Sequence, residues 1–217
     1  MKTIHRIVAA AASAAALFGC ATMPGSAESD KLAQDMIRSG FRTEGIAKAE
    51  RVTALDETLV ACNAADVAGK PLDAATAKRL EEANLKAVKW PAGGKFLGDW
   101  KKGEAVAQSG RGLTWTDGAN TVNGGNCYNC HQISKEEISF GTIGPSLYNY
   151  GKIRGVTDPA SAAARPVVEY TWGKIWNAKA YNACSNMPRF GHMGIIGEQD
   201  IRDVMALLLD PNSPVNK

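Results

Sequence analysis

Cys127-Tyr128-Asn129-Cys130-His131 gathers two of the chain's five cysteines and one of its three histidines into consecutive positions. Cysteines at i and i+3 with histidine at i+4 share one helical face, so two thiols can bond the vinyl groups of a haem while the adjacent imidazole meets the iron from the same side. Two other chemistries use the same letters. A structural zinc ion needs four ligands, and beyond the motif only Cys62, Cys184 and His192 remain once His5 is assigned to the leader described below. A thioredoxin-type dithiol needs a strand and a helix around it, and no βαβ pattern flanks the motif. The motif therefore reads as the covalent attachment site of one haem c, with Cys127 and Cys130 as thioether carriers and His131 as the proximal iron ligand.

A six-coordinate iron needs a second axial ligand. The stretch "CSNMPRFGHM" offers Met187, 56 positions after His131, together with His192 and Met193. Met187 is preferred, because Pro188 takes it out of helical geometry and pins a loop, and because its polar neighbours are unlike those of an ordinary core methionine. His192 and Met193 stand as the alternatives. The proximal imidazole also needs an acceptor for its other N–H. "GTIGPSLYNYG" supplies a proline-fixed loop at Pro145 whose carbonyl suits that role, although a plain surface turn fits the same letters. Trp115, Tyr148, Tyr150, Trp172, Trp176 and Phe190 are expected to wall the pocket, some of them as general core.

The elements that must position these residues are read as helices. Leu32, Met36 and Ile37 form a short apolar stripe that Gly40 interrupts, and Val52, Leu55, Leu59 and Cys62 form a second. A third helix starts near Asp73 as N-cap, with Leu80, Ala83 and Ala87 on its inner face. Composition changes at Trp90-Pro91-Ala92-Gly93-Gly94, after which come four of the five tryptophans and all five tyrosines. This divides the chain into a helical extension, 28–90, and a main domain, 95–217, on which the thin stripes of the extension should lean. The main domain predicts a short helix over 99–109, a glycine-rich loop from Gly110 to Gly125, a helix anchored by Tyr170, Ile175 and Trp176, and a last helix with Ile201, Val204, Met205 and Leu208 inward and Pro211 beyond its end. Strand alternation is absent, so the fold class is all-α with long loops.

Residues 1–19 read as an export signal, with Lys2 and Arg6 ahead of an apolar run from Ile7 to Phe18 that is too short to span a bilayer. Leu17-Phe18-Gly19-Cys20 resembles a lipobox, and ordinary cleavage after Gly25-Ser26-Ala27 is the other reading, so Cys20 is a candidate lipid site. Either way the mature protein is expected in the periplasm. Removing Lys2 and Arg6 lowers the formal charge from +3 to +1, which excludes a nucleic-acid partner by composition. In an oxidising compartment the two leftover cysteines are expected to pair. They are Cys62, on an apolar helix face, and Cys184, just before Met187.

With the haem motif, "GTIGPSLYNYG", "YNACSNMPRFGHMGI" and "EQDIRDVMALLLDPNSPVN" together, residues 95–217 resemble the SoxX family, monohaem cytochrome subunits of the SoxAX complexes of bacterial thiosulfate oxidation. The resemblance implies a class I cytochrome c-like domain behind an N-terminal helical extension. It implies Cys127 and Cys130 as attachment points, His131 and Met187 as axial ligands, and Pro145 as the carbonyl partner of His131. It also implies a SoxA-type cytochrome partner bearing the catalytic haem, a SoxYZ carrier whose cysteine receives thiosulfate, and a small cytochrome c as electron acceptor. In such an L-cysteine S-thiosulfotransferase this chain has no acid, base or nucleophile of its own. Two rivals use the same motif. A stand-alone carrier usually shows a lysine ring near the haem edge, and here Thr121 to Gly151 holds only Lys135; a zinc-stabilised module would be colourless.

Overall fold

The computed structural model describes residues 26–217; the export signal and Cys20 lie outside them. Two compact units are distinguished, one reaching to Arg42 and including 51–53, the other comprising 43–50 and 54–217. In the first, helix α1 (Ser26–Gly40) ends at Gly40, but Leu32 and Met36 are exposed, so that expected stripe packs little. A single turn, α2 (Glu50–Thr53), follows. Among the described residues no strand forms, and the β pairing present is one isolated bridge between Glu44 and Ala47. The fold is all-α.

The second unit is built on α3 (Glu57–Val67), α4 (Ala74–Lys86), α5 (Trp100–Gln108), the short α6 (Tyr150–Ile153), α7 (Arg165–Trp176) and α8 (Glu198–Leu209). Three of these start on an aspartate whose side chain accepts a backbone N–H of the first turn: Asp56 from Leu59, Asp73 from Thr76 and Asp99 from Lys101. The Asp56 cap corrects the second expected stripe. It opens α3 after Val52 and Leu55, which are left exposed, and the buried residue of α3 is Thr58.

On α4 the inward residues are Leu80 and Asn84, not Ala83 and Ala87, which are exposed. The reason is polar. Asn84 donates to Thr58 Oγ1 at 2.9 Å and to the Leu80 carbonyl at 2.8 Å, and its own side-chain oxygen accepts from Asn177 at 2.9 Å. A buried amide with these partners costs little to desolvate and fixes register. The network joins α3 and α4 to the end of α7.

The core proper lies where α5 crosses α8. Gly103 sits against the carbonyl of Asp203, where a Cβ has no room, and Val106 and Ala107 are buried beside it. Asp203 is buried, and its carboxylate accepts from the Asp99 N–H at 2.8 Å and from Gln199 at 2.9 Å, which settles a negative charge at the start of α5. Trp172, fully buried on α7, meets Phe96 edge-on at 5.7 Å, stacks on Trp176 at 5.9 Å and donates its indole N–H to the Lys89 carbonyl. It takes the anchoring role expected of Tyr170, which is exposed; truncating it to Ala should cost about 3 to 5 kcal/mol. The "DPNSPVN" segment closes helix ends. Ser213 donates to the Leu207 carbonyl, while buried Asn216 donates to the Leu208 and Asp210 carbonyls and accepts from the Gly151 and Lys152 N–H groups of α6.

Candidate haem site

The Cys127–His131 motif follows directly from the end of α5. The Gly125 N–H donates to Val106, the Asn126 N–H to Ser109 and the Gly124 N–H to Arg111, so a glycine pair lies flat on the last turn of that helix. Asn126 then turns the chain through a left-handed conformation, φ 50°, and a 3₁₀ turn, Cys127–Asn129, begins. The His131 and Cys130 N–H groups both donate to the Cys127 carbonyl. A single tight turn thus carries Cys127, Cys130 and His131, with the later two N–H groups folded back on the Cys127 carbonyl.

Cys127 and Cys130 are unpaired thiols, each half-buried. Burial pushes the Cys127 thiol up to about 12, so it is held as a thiol at neutral pH. A redox dithiol works through a depressed thiol pKa, and burial here acts in the opposite direction. Among the described residues no three His, Cys, Asp or Glu side chains converge to hold a metal ion.

His131 is oriented from behind. Its Nδ1–H donates to the Pro145 carbonyl at 2.7 Å, which fixes the tautomer and leaves the Nε2 lone pair for a metal. The loop carrying Pro145 is strapped to the motif by the Gly141 N–H on the Tyr128 carbonyl, the Gly144 N–H on Cys130 and the Leu147 N–H on Gln132. Gly144 lies flat on the imidazole, and a Cβ there would enter the ring. The sequence marks Pro145 in this loop but not the need for glycine beside it.

Met187 is half-buried and packed on the same core cluster as Cys127. Phe190, three residues on, reaches back to the motif: it is 3.9 Å from where a Cβ on Gly125 would stand, and that point is 3.1 Å from the Cys127 sulfur. The loop is seated on α7, with Gly191 against the Trp176 ring and the His192 N–H on the Trp176 carbonyl. The two alternatives lie further along the same loop. Met193 is exposed, and partial burial with the neighbouring Arg189 holds the His192 imidazole below its ordinary range, partly offset by Asp56.

The six expected wall aromatics divide. Phe190 and Trp176 support the Met187 loop, Tyr150 and Trp172 are core, Tyr148 donates to the Lys217 carbonyl, and Trp115 is exposed.

Cys62 and Cys184 form a disulfide, their Cα atoms 5.4 Å apart. Beside it stands a contact that sequence reasoning missed. Arg189, 6 % exposed, pairs with Asp56 at 2.5 Å, the same aspartate that caps α3. Burial raises the Asp56 pKa, but the Leu59 N–H and the Arg189 guanidinium outweigh it and hold the carboxyl below its usual value. An arginine two residues from a candidate ligand was the available signal, but its partner lies 133 positions away.

Residues 115–210 match the family model described as Cytochrome c. A protein of Aquifex aeolicus (strain VF5), described as an uncharacterized lipoprotein, is 38% identical over 133 residues, 60% of this chain and 58% of that protein. The chain thus spans less than two thirds of the length of that relative. The donor set fits the group that such a family carries. Two half-buried thiols and an imidazole with its far nitrogen free would hold a covalent haem, and Met187 is the candidate for the other face. When bound, that group supplies one-electron redox chemistry.

Proposed function

We propose that the chain is a periplasmic c-type cytochrome of one haem, and that it serves as the SoxX-type subunit of a thiosulfate-conjugating complex. The observation that carries the electron-transfer reading is the His131 imidazole, donating Nδ1–H to the Pro145 carbonyl beside two unpaired thiols. His131 and Met187 would hold the group, which would supply one-electron redox chemistry, and the chain's part would be to keep both side chains in place through it. His/Met ligation, with Met187 opposite His131, favours a higher potential than two histidines would. That suits a relay toward a soluble cytochrome c.

The finer assignment rests on the resemblance of "MPRFGH" and "LLLDPNSPVN" to SoxX. In that reaction a carrier cysteine S–H breaks, an S–S bond to thiosulfate forms, and one proton and two electrons leave, the electrons passing singly through this subunit. A SoxA-type partner would hold the catalytic haem, and SoxYZ would supply the cysteine. Lipid attachment at Cys20 is supported by the lipobox-like letters and by the name of the Aquifex protein. Among the described residues no helix is long and apolar enough to cross a membrane.

Purification of the protein from its native periplasm tests both levels. The expected result is a Soret band that stays with the polypeptide on denaturation, a second haem polypeptide co-purifying, and haem reduction on adding thiosulfate with SoxYZ. A coloured protein that runs alone and ignores thiosulfate would leave a stand-alone electron carrier, which the sparse lysines around the motif disfavour. A colourless protein would end the haem reading altogether.

A further inference from the structure

Helices α3 and α4 are tied to the segment around Met187 on both its sides. On one side of it Cys184, three residues earlier, is bonded to Cys62. On the other side Arg189, two residues later, is paired with Asp56. Both ties end on α3 or its cap. A third joins α4, whose Glu81 accepts from the Ala183 N–H at 3.1 Å. From within the loop, Lys179 Nζ donates to the carbonyls of Ala183 and Ser185, closing the turn between. Helix α3 is itself fixed by the Thr58, Asn84 and Asn177 chain.

Packing alone does not seal Met187. A cavity of about 500 Å³ opens beside it, lined by Leu59, Cys62, Lys179, Cys184 and Arg189 among others. A thioether on a flexible stem, in a loop with a solvent-filled flank, would exchange readily with small ligands unless the backbone on both sides were held.

We infer that α3 is a splint for the distal ligand, and that Asp56 and Cys62 are positioning residues that hold Met187 toward the iron without touching it. The inference rests on the His131 and Met187 reading above. Its consequence is quantitative. An added ligand such as imidazole can bind only when Met187 is off the iron, so its apparent affinity scales with that fraction of the protein. Removing one tie should raise imidazole affinity about tenfold, and removing both should raise it further.

The test uses oxidised full-length holoprotein, titrated with imidazole well below its melting temperature. The sulfur-to-iron band at the red edge of the spectrum and the Soret position are followed together. Asp56→Asn and the pair Cys62→Ala with Cys184→Ala should each weaken the band and shift the imidazole midpoint about tenfold lower, and each should lower the reduction potential. Arg79→Ala, which removes an exposed ion pair between α4 and Glu57, should change none of these. Should the cysteine variant not fold, reduction and alkylation of the disulfide in the wild-type protein, counted by mass and followed by reoxidation of the iron, gives the same comparison. Variants with native far-UV circular dichroism that keep the wild-type band, potential and imidazole midpoint overturn the splint. Failure of the underlying reading shows elsewhere: Met187→Ala would then leave the wild-type spectrum unchanged, and the splint falls with it.

Discussion

From Gly124 to Leu147 the chain keeps its hydrogen bonds close to home, whereas from Tyr181 to Ile195 it is tied to helices far earlier in sequence. The first stretch binds to the last turn of α5 and to itself, with His131 and Pro145 only 14 positions apart. The second depends on Cys62 across 122 positions and on Asp56 across 133. Local closure costs little entropy and forms with its neighbours, while long closures hold only as long as the whole unit does. The side that holds the two free thiols and His131 is therefore autonomous, and the side that holds Met187 is conditional on the rest of the fold.

The largest expected effect attacks the autonomous side. Gly144→Ala drives a methyl into the His131 ring, so the imidazole must leave the Pro145 carbonyl; the expected outcome is little or no holoprotein, read as the ratio of Soret absorbance to protein. Near-normal haem content would show that the loop can retreat, and would remove the contrast. Next comes the conditional side. Loss of the Cys62 to Cys184 bond should lower unfolding free energy by about 4 to 5 kcal/mol on a chain-entropy account and steepen the denaturant dependence, since the unfolded chain expands. Haem attachment should be unaffected.

Asp56→Asn should cost about 1 to 2 kcal/mol, a buried-pair loss reduced because Asp56 itself is 41% exposed. Its pH dependence has a definite sign. The folded pKa lies below the unfolded one, so the stabilisation is complete above about pH 4 and is lost as pH falls through the folded value. Urea midpoints at pH 6 and pH 3 should therefore differ less in Asp56→Asn than in the wild-type protein. The smallest effect is Asp73→Ala, about 1 kcal/mol from a lost cap on α4, which should soften the Met187 side and leave the His131 side as it was. A proton NMR comparison of the two ligands separates these outcomes.

The same contrast governs what the sequence revealed. Cys127, Cys130 and His131 stand out because the motif sits in five consecutive letters, and the Asp73 cap, the helix near Asp99 and α8 are legible because caps and periodicity are local. Cys62 and Cys184 were paired by counting in an oxidising compartment, a global constraint that needs no geometry. Asn84 facing inward was not legible, since its partners Thr58 and Asn177 are brought to it by folding. Gly144 looked like one more loop glycine until the imidazole stood against it. Arg189 read as an ordinary basic residue because nothing near it in sequence announces a buried carboxylate.

The tight crossing of α5 on α8 bears on the order of events in the protein's life. Gly103 can meet the Asp203 carbonyl only after about a hundred intervening residues are present, a long-range closure that comes late in folding. Until then the local turn that carries Cys127 and Cys130 can form, but the core against which Cys127 packs is not yet assembled. Under the proposed function the thioether bonds would have a period before closure in which to form, and a faster-folding variant would shorten the time available for its own maturation.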